Sequence, residues 1–181
     1  MIRLKQLLRE LSDSEITRLL DKIRNKSFRL IGGGDNGRVY EIDGEDKVFK
    51  ITTERDEYEV AKIIVNRASE FTCFIPVYYV NDREQMYIMA NAETLPEQDR
   101  MNIDAFMEQF KQFARSEGGE VSIFDFLDAD GARNMDIKLV NFIRALQRDV
   151  AKIGIDDFDL DLDFSASNMM LWNNKLVLVD W

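Results

Sequence analysis

Five features of this sequence could together handle a phosphate ester: the cluster Gly32-Gly33-Gly34-Asp35-Asn36-Gly37, then Lys50, Asp163, Asn168 and Asp180. Gly32, Gly34 and Gly37 fit the spacing G-x-G-x-x-G, with Val39 two positions further on. Such a run lets backbone N–H groups approach an anion with no side chain in between. Extended segments are predicted on both sides of it. A dinucleotide-binding turn would need a helix on the far side, so that reading is set aside. A glycine-rich hairpin laid over phosphates fits the pattern, and so does a plain turn of flexible residues. Lys50 stands in the apolar run Val48-Phe49-Lys50-Ile51, where an unpaired charge is costly to bury. It is either an edge lysine reaching solvent or a buried cation that binds phosphate and needs a carboxylate partner. The next segment supplies two candidates. Glu57 shares a helical face with Val60, Ala61 and Ile64, whereas Glu59 shares one with Ile63 and ranks second.

The segment Asp161-Leu162-Asp163-Phe164-Ser165-Ala166-Ser167-Asn168 puts an aspartate five positions ahead of an asparagine. Asp180 follows at the end of the apolar run Leu176-Val177-Leu178-Val179. A carboxylate that orients a hydroxyl, followed by two oxygen donors for Mg²⁺, calls for these residue types. Rival readings exist for the acidic stretch. A calcium loop starting at Asp159 would need glycine and glutamate where Phe164 and Met170 stand. An Asp-x-Asp metal site would leave the glycines and Lys50 without a role. A solvated acidic loop is the plain alternative, yet Phe158, Leu160, Leu162 and Phe164 alternate with the aspartates as in a half-buried segment.

The elements that must carry these residues follow from periodicity. Leu4, Leu7, Leu8 and Leu11 form one helical stripe and Ile16, Leu19, Leu20 and Ile23 another, with Ser12-Asp13-Ser14-Glu15 between them resembling a capping box. Residues 1–26 are expected to be a helical extension that packs on the next domain. From Ser27 the period falls to two, predicting strands over Phe28–Ile31, Arg38–Ile42 and Lys47–Ile51, with Asp43-Gly44 as a turn. A helix is predicted over Asp56–Asn66, then strands over Pro76–Val80 and Gln85–Ala90. Beyond residue 95 the pattern becomes helical, with Ile103–Arg115 carrying Phe106, Phe110 and Phe113, and Asn134–Ile153 closed by Gly154. The end reads as an acidic loop and a hairpin, Met169–Trp172 and Lys175–Val179, turning at Asn173-Asn174. The expectation is an α+β fold: a five-stranded antiparallel sheet in residues 27–95 and a mainly helical unit in residues 96–181.

Composition narrows the chemistry. The 181 residues include no histidine, which removes histidine-based triads and histidine metal sites together. Cys73 is the only cysteine, in keeping with a reducing cytoplasm. A net charge of −10 makes nucleic acid and anionic membrane poor partners, although an acidic surface can also mimic DNA. No stretch approaches the roughly 18 apolar residues of a membrane span, and the charged N-terminus is a poor signal peptide.

Taken in order, the glycine hairpin, Lys50, a helix glutamate, a long helix, Asp163 with Asn168, a hairpin and Asp180 resemble the protein-kinase and aminoglycoside-phosphotransferase superfamily over residues 27–181. Val48-Phe49-Lys50-Ile51-Thr52-Thr53 and Leu162–Met170 are similar to small bacteriophage-encoded serine/threonine kinases, and Leu178-Val179-Asp180-Trp181 is similar to the phosphotransferases. The resemblance implies a two-lobed kinase fold with a truncated second lobe and an ATP- and Mg²⁺-dependent transfer to protein serine or threonine, in a cytoplasm (the host's, for a viral protein). It implies that Gly32, Gly34, Gly37 and Val39 cover the nucleotide, that Lys50 holds its α- and β-phosphates beside Glu57, and that Asp163 orients the attacking hydroxyl. It further implies that Asn168 and Asp180 hold metal, that Met89 is the gatekeeper, and that Asn91–Glu93 form the hinge reading adenine. Departures run the other way. Asp161 stands where such kinases carry histidine or tyrosine, no arginine precedes Asp163, and no glycine follows Asp180 in the Asp-Phe-Gly manner. The activation segment and later helices would lie past Trp181, so ATP binding is the firmer expectation. A pseudokinase-like protein that regulates a partner, and a small-molecule phosphotransferase, are the alternatives.

Overall fold

The computed structural model describes residues 11–119, 121–131, 135–153 and 164–180. Leu4, Leu7 and Leu8 of the first leucine stripe, Asn134, Gly154 and the acidic run through Asp163 therefore lie outside the described residues. The chain divides into two compact units, Met1–Ala92 and Glu93–Trp181. The fold class is α+β, with a five-stranded antiparallel sheet in the first unit and mostly helix in the second.

In the first unit helix α1 (Asp13–Arg24) precedes strands β1 (Phe28–Gly34), β2 (Gly37–Ile42) and β3 (Lys47–Thr52). Helix α2 (Arg55–Asn66) and a short 3₁₀ turn (Ala68–Glu70) lead to β4 (Val77–Asn81) and β5 (Met86–Ala90). The sheet order is β1-β2-β3-β5-β4, every neighbouring pair antiparallel. Side chains alternate across a strand, so β3 serves two faces. Phe49 points to one, where it packs with Leu19 of α1 and with Ile42, Met86 and Ile88. Phe28 and Tyr40 complete that core around the Phe49 ring, at 5.1 and 4.8 Å between centroids. Burying one such side chain is worth about 1.5–3 kcal/mol. Lys50 points to the other face, the one covered by α2.

Helix α1 starts at Ser12, whose hydroxyl accepts from the Glu15 amide while the Glu15 carboxylate accepts from the Ser12 amide. Its apolar stripe lies on the sheet, which makes it part of the domain core. Glu45, in the turn after β2, fastens the helix by accepting from Arg18 and Lys22. These two cations, Arg18 first, hold the Glu45 carboxyl down at about 2. A depressed carboxyl stabilises the fold above its unfolded value, 4.5, and loses that contribution as pH falls from there towards about 2. Because Arg18 is half exposed and the pair is screened, Glu45→Gln should cost about 1 kcal/mol at pH 7. In urea titrations at successively lower pH the gap between Glu45→Gln and wild type should close below pH 4.5. A gap independent of pH would refute the ion-pair account.

The glycine cluster departs from the expected turn. Gly32, Gly33 and Gly34 belong to β1 and Gly37 opens β2, with Gly34 opposite Gly37. Only Asp35 and Asn36 turn. A register shift between Leu30 and Gly32 bends the strand ahead of them.

The second unit contains α3 (Glu97–Ser116), α4 (Ile123–Phe126), a π-type turn (Leu127–Gly131), α5 (Ile137–Ile153) and the hairpin β6 (Met169–Trp172) and β7 (Lys175–Leu178). Helix α3 begins six residues ahead of the expected Ile103, because Glu97–Arg100 is polar and lends the apolar stripe nothing. Phe106 meets Phe126 at 5.4 Å and Phe164 at 5.8 Å between ring centroids, and Phe142 of α5 lies on Phe164 as well. Asp136 starts α5 by accepting from the Lys138 amide at 2.7 Å, and its other oxygen takes the Asn102 side-chain amide of α3 at 3.0 Å. Asn173 and Asn174 both adopt positive φ, as a two-residue hairpin turn of this hand requires. Among the described residues, no helix is long and apolar enough to cross a membrane.

Candidate functional site

Lys50 is 5% exposed and its ammonium lies 2.7 Å from Oε1 of Glu57, itself 3% exposed. The partner is Glu57 rather than Glu59, whose carboxylate pairs with Lys62 at the half-exposed side of α2. The reason is helical phase: Glu57 sits in the first turn of α2 on the stripe that buries Val60, Ala61 and Ile64. Two hydroxyls missed at the level of sequence complete the cluster. Thr52 donates to Oε2 of Glu57 at 2.7 Å, and Tyr87 of β5 donates to Oε1. Tyr87 stands directly across the ladder from Lys50, and Val39 stands across from it on the other side. A tyrosine in an apolar strand reads as core, so only the strand pairing could have revealed it.

The glycines above Lys50 divide into two kinds. None has positive φ, so conformational freedom is not what selects them. A Cβ on Gly37 would come within 2.5 Å of the Ile51 carbonyl and 3.3 Å of Cε of Lys50. That glycine is required by close approach of the two strands. A Cβ on Gly34 would meet nothing within 4 Å, and one on Gly32 only Val39 at 3.9 Å. The sheet leaves room over these residues.

Met89 is buried in β5 opposite Val48 and Val77. Asn91, exposed, donates its amide to the Asp46 carbonyl at 3.0 Å. Glu93 exchanges both backbone bonds with Leu171 at 2.8 Å, so its amide proton is already committed. Ala92 lies between them, inside the hinge expected over Asn91–Glu93.

In the second unit the Val179 amide donates to the Asn168 carbonyl at 2.9 Å, one step beyond the Met169–Leu178 pair. Asn168 and Asp180 thus stand one residue out of register at the open end of the hairpin, both partly exposed. An amide oxygen and a carboxylate in that setting are hard donors of the kind Mg²⁺ takes, with water and phosphate filling its other positions. The donor set therefore fits. Asp163 lies outside the described residues; the next residue, Phe164, is buried between Phe106 and Phe142.

No protein-family model matches this sequence, and no curated protein matches it. Among solved structures the chain is similar to APH(2″)-IIa in its ternary complex with streptomycin and ATP. There the identity is 17%, the TM-score 0.37, and the match covers 94% of this chain and 71% of the other. It is also similar to a choline/ethanolamine kinase family protein from Mesorhizobium loti, at 14% identity and a TM-score of 0.40. That match covers 90% of this chain and 64% of the other, so this chain spans less than two thirds of that protein's length. Both likenesses are distant. The site itself stands on the chain's own strand order, the glycine hairpin paired with β3 and the α2 carboxylate that meets Lys50.

Proposed function

We propose that this protein binds Mg-ATP and transfers its γ-phosphoryl group to a serine or threonine of a protein. The observation that carries the reading is the buried Lys50–Glu57 pair beneath the glycine hairpin. A charged pair withdrawn from water recovers its desolvation cost only through close geometry and further hydrogen bonds, and a lysine steadied in this way can turn its ammonium to the α- and β-phosphates. The amides of Gly32–Gly37 approach the same phosphates, with Gly34 leaving the space. Ala92 reads the adenine edge through its backbone, flanked by Asn91 and by Glu93, while Met89 closes the pocket behind it. Asn168 and Asp180 hold Mg²⁺, which when bound neutralises charge on the phosphates. Asp163 accepts the hydrogen bond of the attacking hydroxyl and orients it, most of the catalysis coming from such positioning. Choice of a protein acceptor is favoured by the resemblance of Leu162–Met170 to the small phage kinases.

Labelled ATP, magnesium and a bacterial lysate provide the test: label should appear on protein serine or threonine. Label on small molecules alone would replace the acceptor class. Mg-ATP binding with no transfer, even to the chain itself, would favour a regulator that binds a partner. Asp180→Asn should weaken Mg-ATP binding about tenfold, the worth of one charged ligand, while leaving the affinity measured with a chelator unchanged. Equal losses with and without magnesium would remove Asp180 from the metal.

A further inference from the structure

Glu57 is held by more than its ion pair. A carboxylate offers two oxygens and about four acceptor sites, and here both oxygens are engaged. Oε1 takes the Lys50 ammonium and the Tyr87 hydroxyl, and Oε2 takes the Thr52 hydroxyl. Tyr87 is fully buried and Thr52 is 2% exposed. A hydroxyl placed so deep costs free energy unless it is bonded, and a phenylalanine would fill the Tyr87 site as well if packing were the only need. Thr52 lies two residues beyond Lys50 on β3 and Tyr87 directly opposite Lys50 on β5, so all three reach Glu57 from one face of the sheet.

Thr52 also joins three elements. Its oxygen accepts the Glu54 amide ahead of α2 at 3.1 Å and lies 3.0 Å from the Asn36 carbonyl at the hairpin tip. A hydroxyl has one proton to give. The Glu57 carboxylate is charged and nearer, which makes it the stronger acceptor, and the Asn36 carbonyl keeps the Thr53 amide at 2.9 Å.

We infer that Tyr87 and Thr52 are positioning residues: their hydroxyls clamp Glu57, and with it the first turn of α2, to the sheet so that Lys50 is preset for phosphate. The inference rests on the Mg-ATP reading above. A single ion pair leaves the carboxylate free to change rotamer, whereas donors to both oxygens fix its plane. Lys50 and Thr52 of β3, Tyr87 of β5 and Glu57 of α2 all belong to the first unit.

The test compares Tyr87→Phe, Thr52→Val and Thr52→Ser with wild type. Calorimetry measures Mg-ATP and adenosine separately, and NMR follows amide exchange in α2. Tyr87→Phe and Thr52→Val should each lower Mg-ATP affinity about tenfold and speed exchange at the start of α2, with adenosine affinity unchanged and Thr52→Ser close to wild type. Parallel losses of Mg-ATP and adenosine would mean general loosening and overturn the positioning role, as would no change in either readout. Should wild type bind neither ligand, the nucleotide reading fails by itself. The exchange rates then decide whether the clamp exists: faster α2 exchange in Tyr87→Phe supports it and unchanged exchange refutes it.

Discussion

Replacing Lys50 by methionine should lower Mg-ATP affinity about a hundredfold and at the same time lower the melting temperature. The first effect follows from losing charge-assisted contacts to phosphate, worth about 1.5–3 kcal/mol for a single bond and more for a shared cation. The second follows from what is left behind. Glu57 would remain buried in the sheet–helix interface without its cation, and breaking a buried pair costs about 3–5 kcal/mol. Tyr87 and Thr52 still donate to the orphaned carboxylate, so the lower end of that range applies. At about 2–4 °C per kcal/mol for a chain of this size, the melting temperature should fall by roughly 8 °C. Burial of both partners is what ties the stability of the fold to this lysine. The double variant Lys50→Met/Glu57→Gln separates the two effects. It removes the stranded charge, so most of the melting temperature should return while nucleotide binding stays lost. Unchanged Mg-ATP affinity in the single variant would end the phosphate assignment. Failure of the double variant to regain stability would end the account of the buried charge.

What the sequence could disclose depended on how local the signal was. The strands around Val39, Phe49 and Ile88 were legible as short extended runs: β3 sets Val48, Phe49 and Ile51 among polar residues, and β5 is apolar throughout. The capping box at Ser12 was equally plain, since four adjacent residues carry it. The choice of Glu57 followed from helical phase, although Glu59 stayed open because a shift of two residues reverses the buried side. Other features depend on pairs distant in sequence. Tyr87 reaches Glu57 across thirty positions, and neither residue type announces the bond. The Glu93–Leu171 pairing joins the start of the second unit to its hairpin, and a single bridge has no period to detect. Helix α4 was missed because four residues hold barely one turn, fixed by the Ser122–Asp125 cap rather than by a stripe. The flanking strands were expected to stop at Ile31 and resume at Arg38, since strands seldom tolerate so many glycines; close approach of β2 to β3 explains Gly37 and open space Gly34, while Gly32 and Gly33 meet Val39 and Arg38 at ordinary contact distance.

That division among the glycines yields the other large effect. Gly37→Ala should destabilise the protein by about 3 kcal/mol, or roughly 10 °C in melting temperature. The added Cβ would lie 2.5 Å from the Ile51 carbonyl and 3.1 Å from Cα of Thr52. Both are backbone atoms of β3 and cannot swing aside as a side chain would. Relief therefore requires β2 to lift from β3, which strains the Gly37–Thr52 and Val39–Lys50 pairs together and carries the disturbance to the lysine. Gly34→Ala is the control. Its Cβ meets no described atom within 4 Å, and alanine loses less chain entropy than glycine on entering a strand. Its melting temperature should hold or rise by a degree or so. If the space above Gly34 is where phosphate comes close to the backbone, that same methyl should reduce Mg-ATP affinity about tenfold without touching stability. Thermal melts and nucleotide titrations on the two variants thus give opposite patterns, fold lost with Gly37→Ala and ligand lost with Gly34→Ala. A Gly34→Ala protein that binds Mg-ATP like wild type would show that the glycine hairpin does not approach the phosphates at that residue.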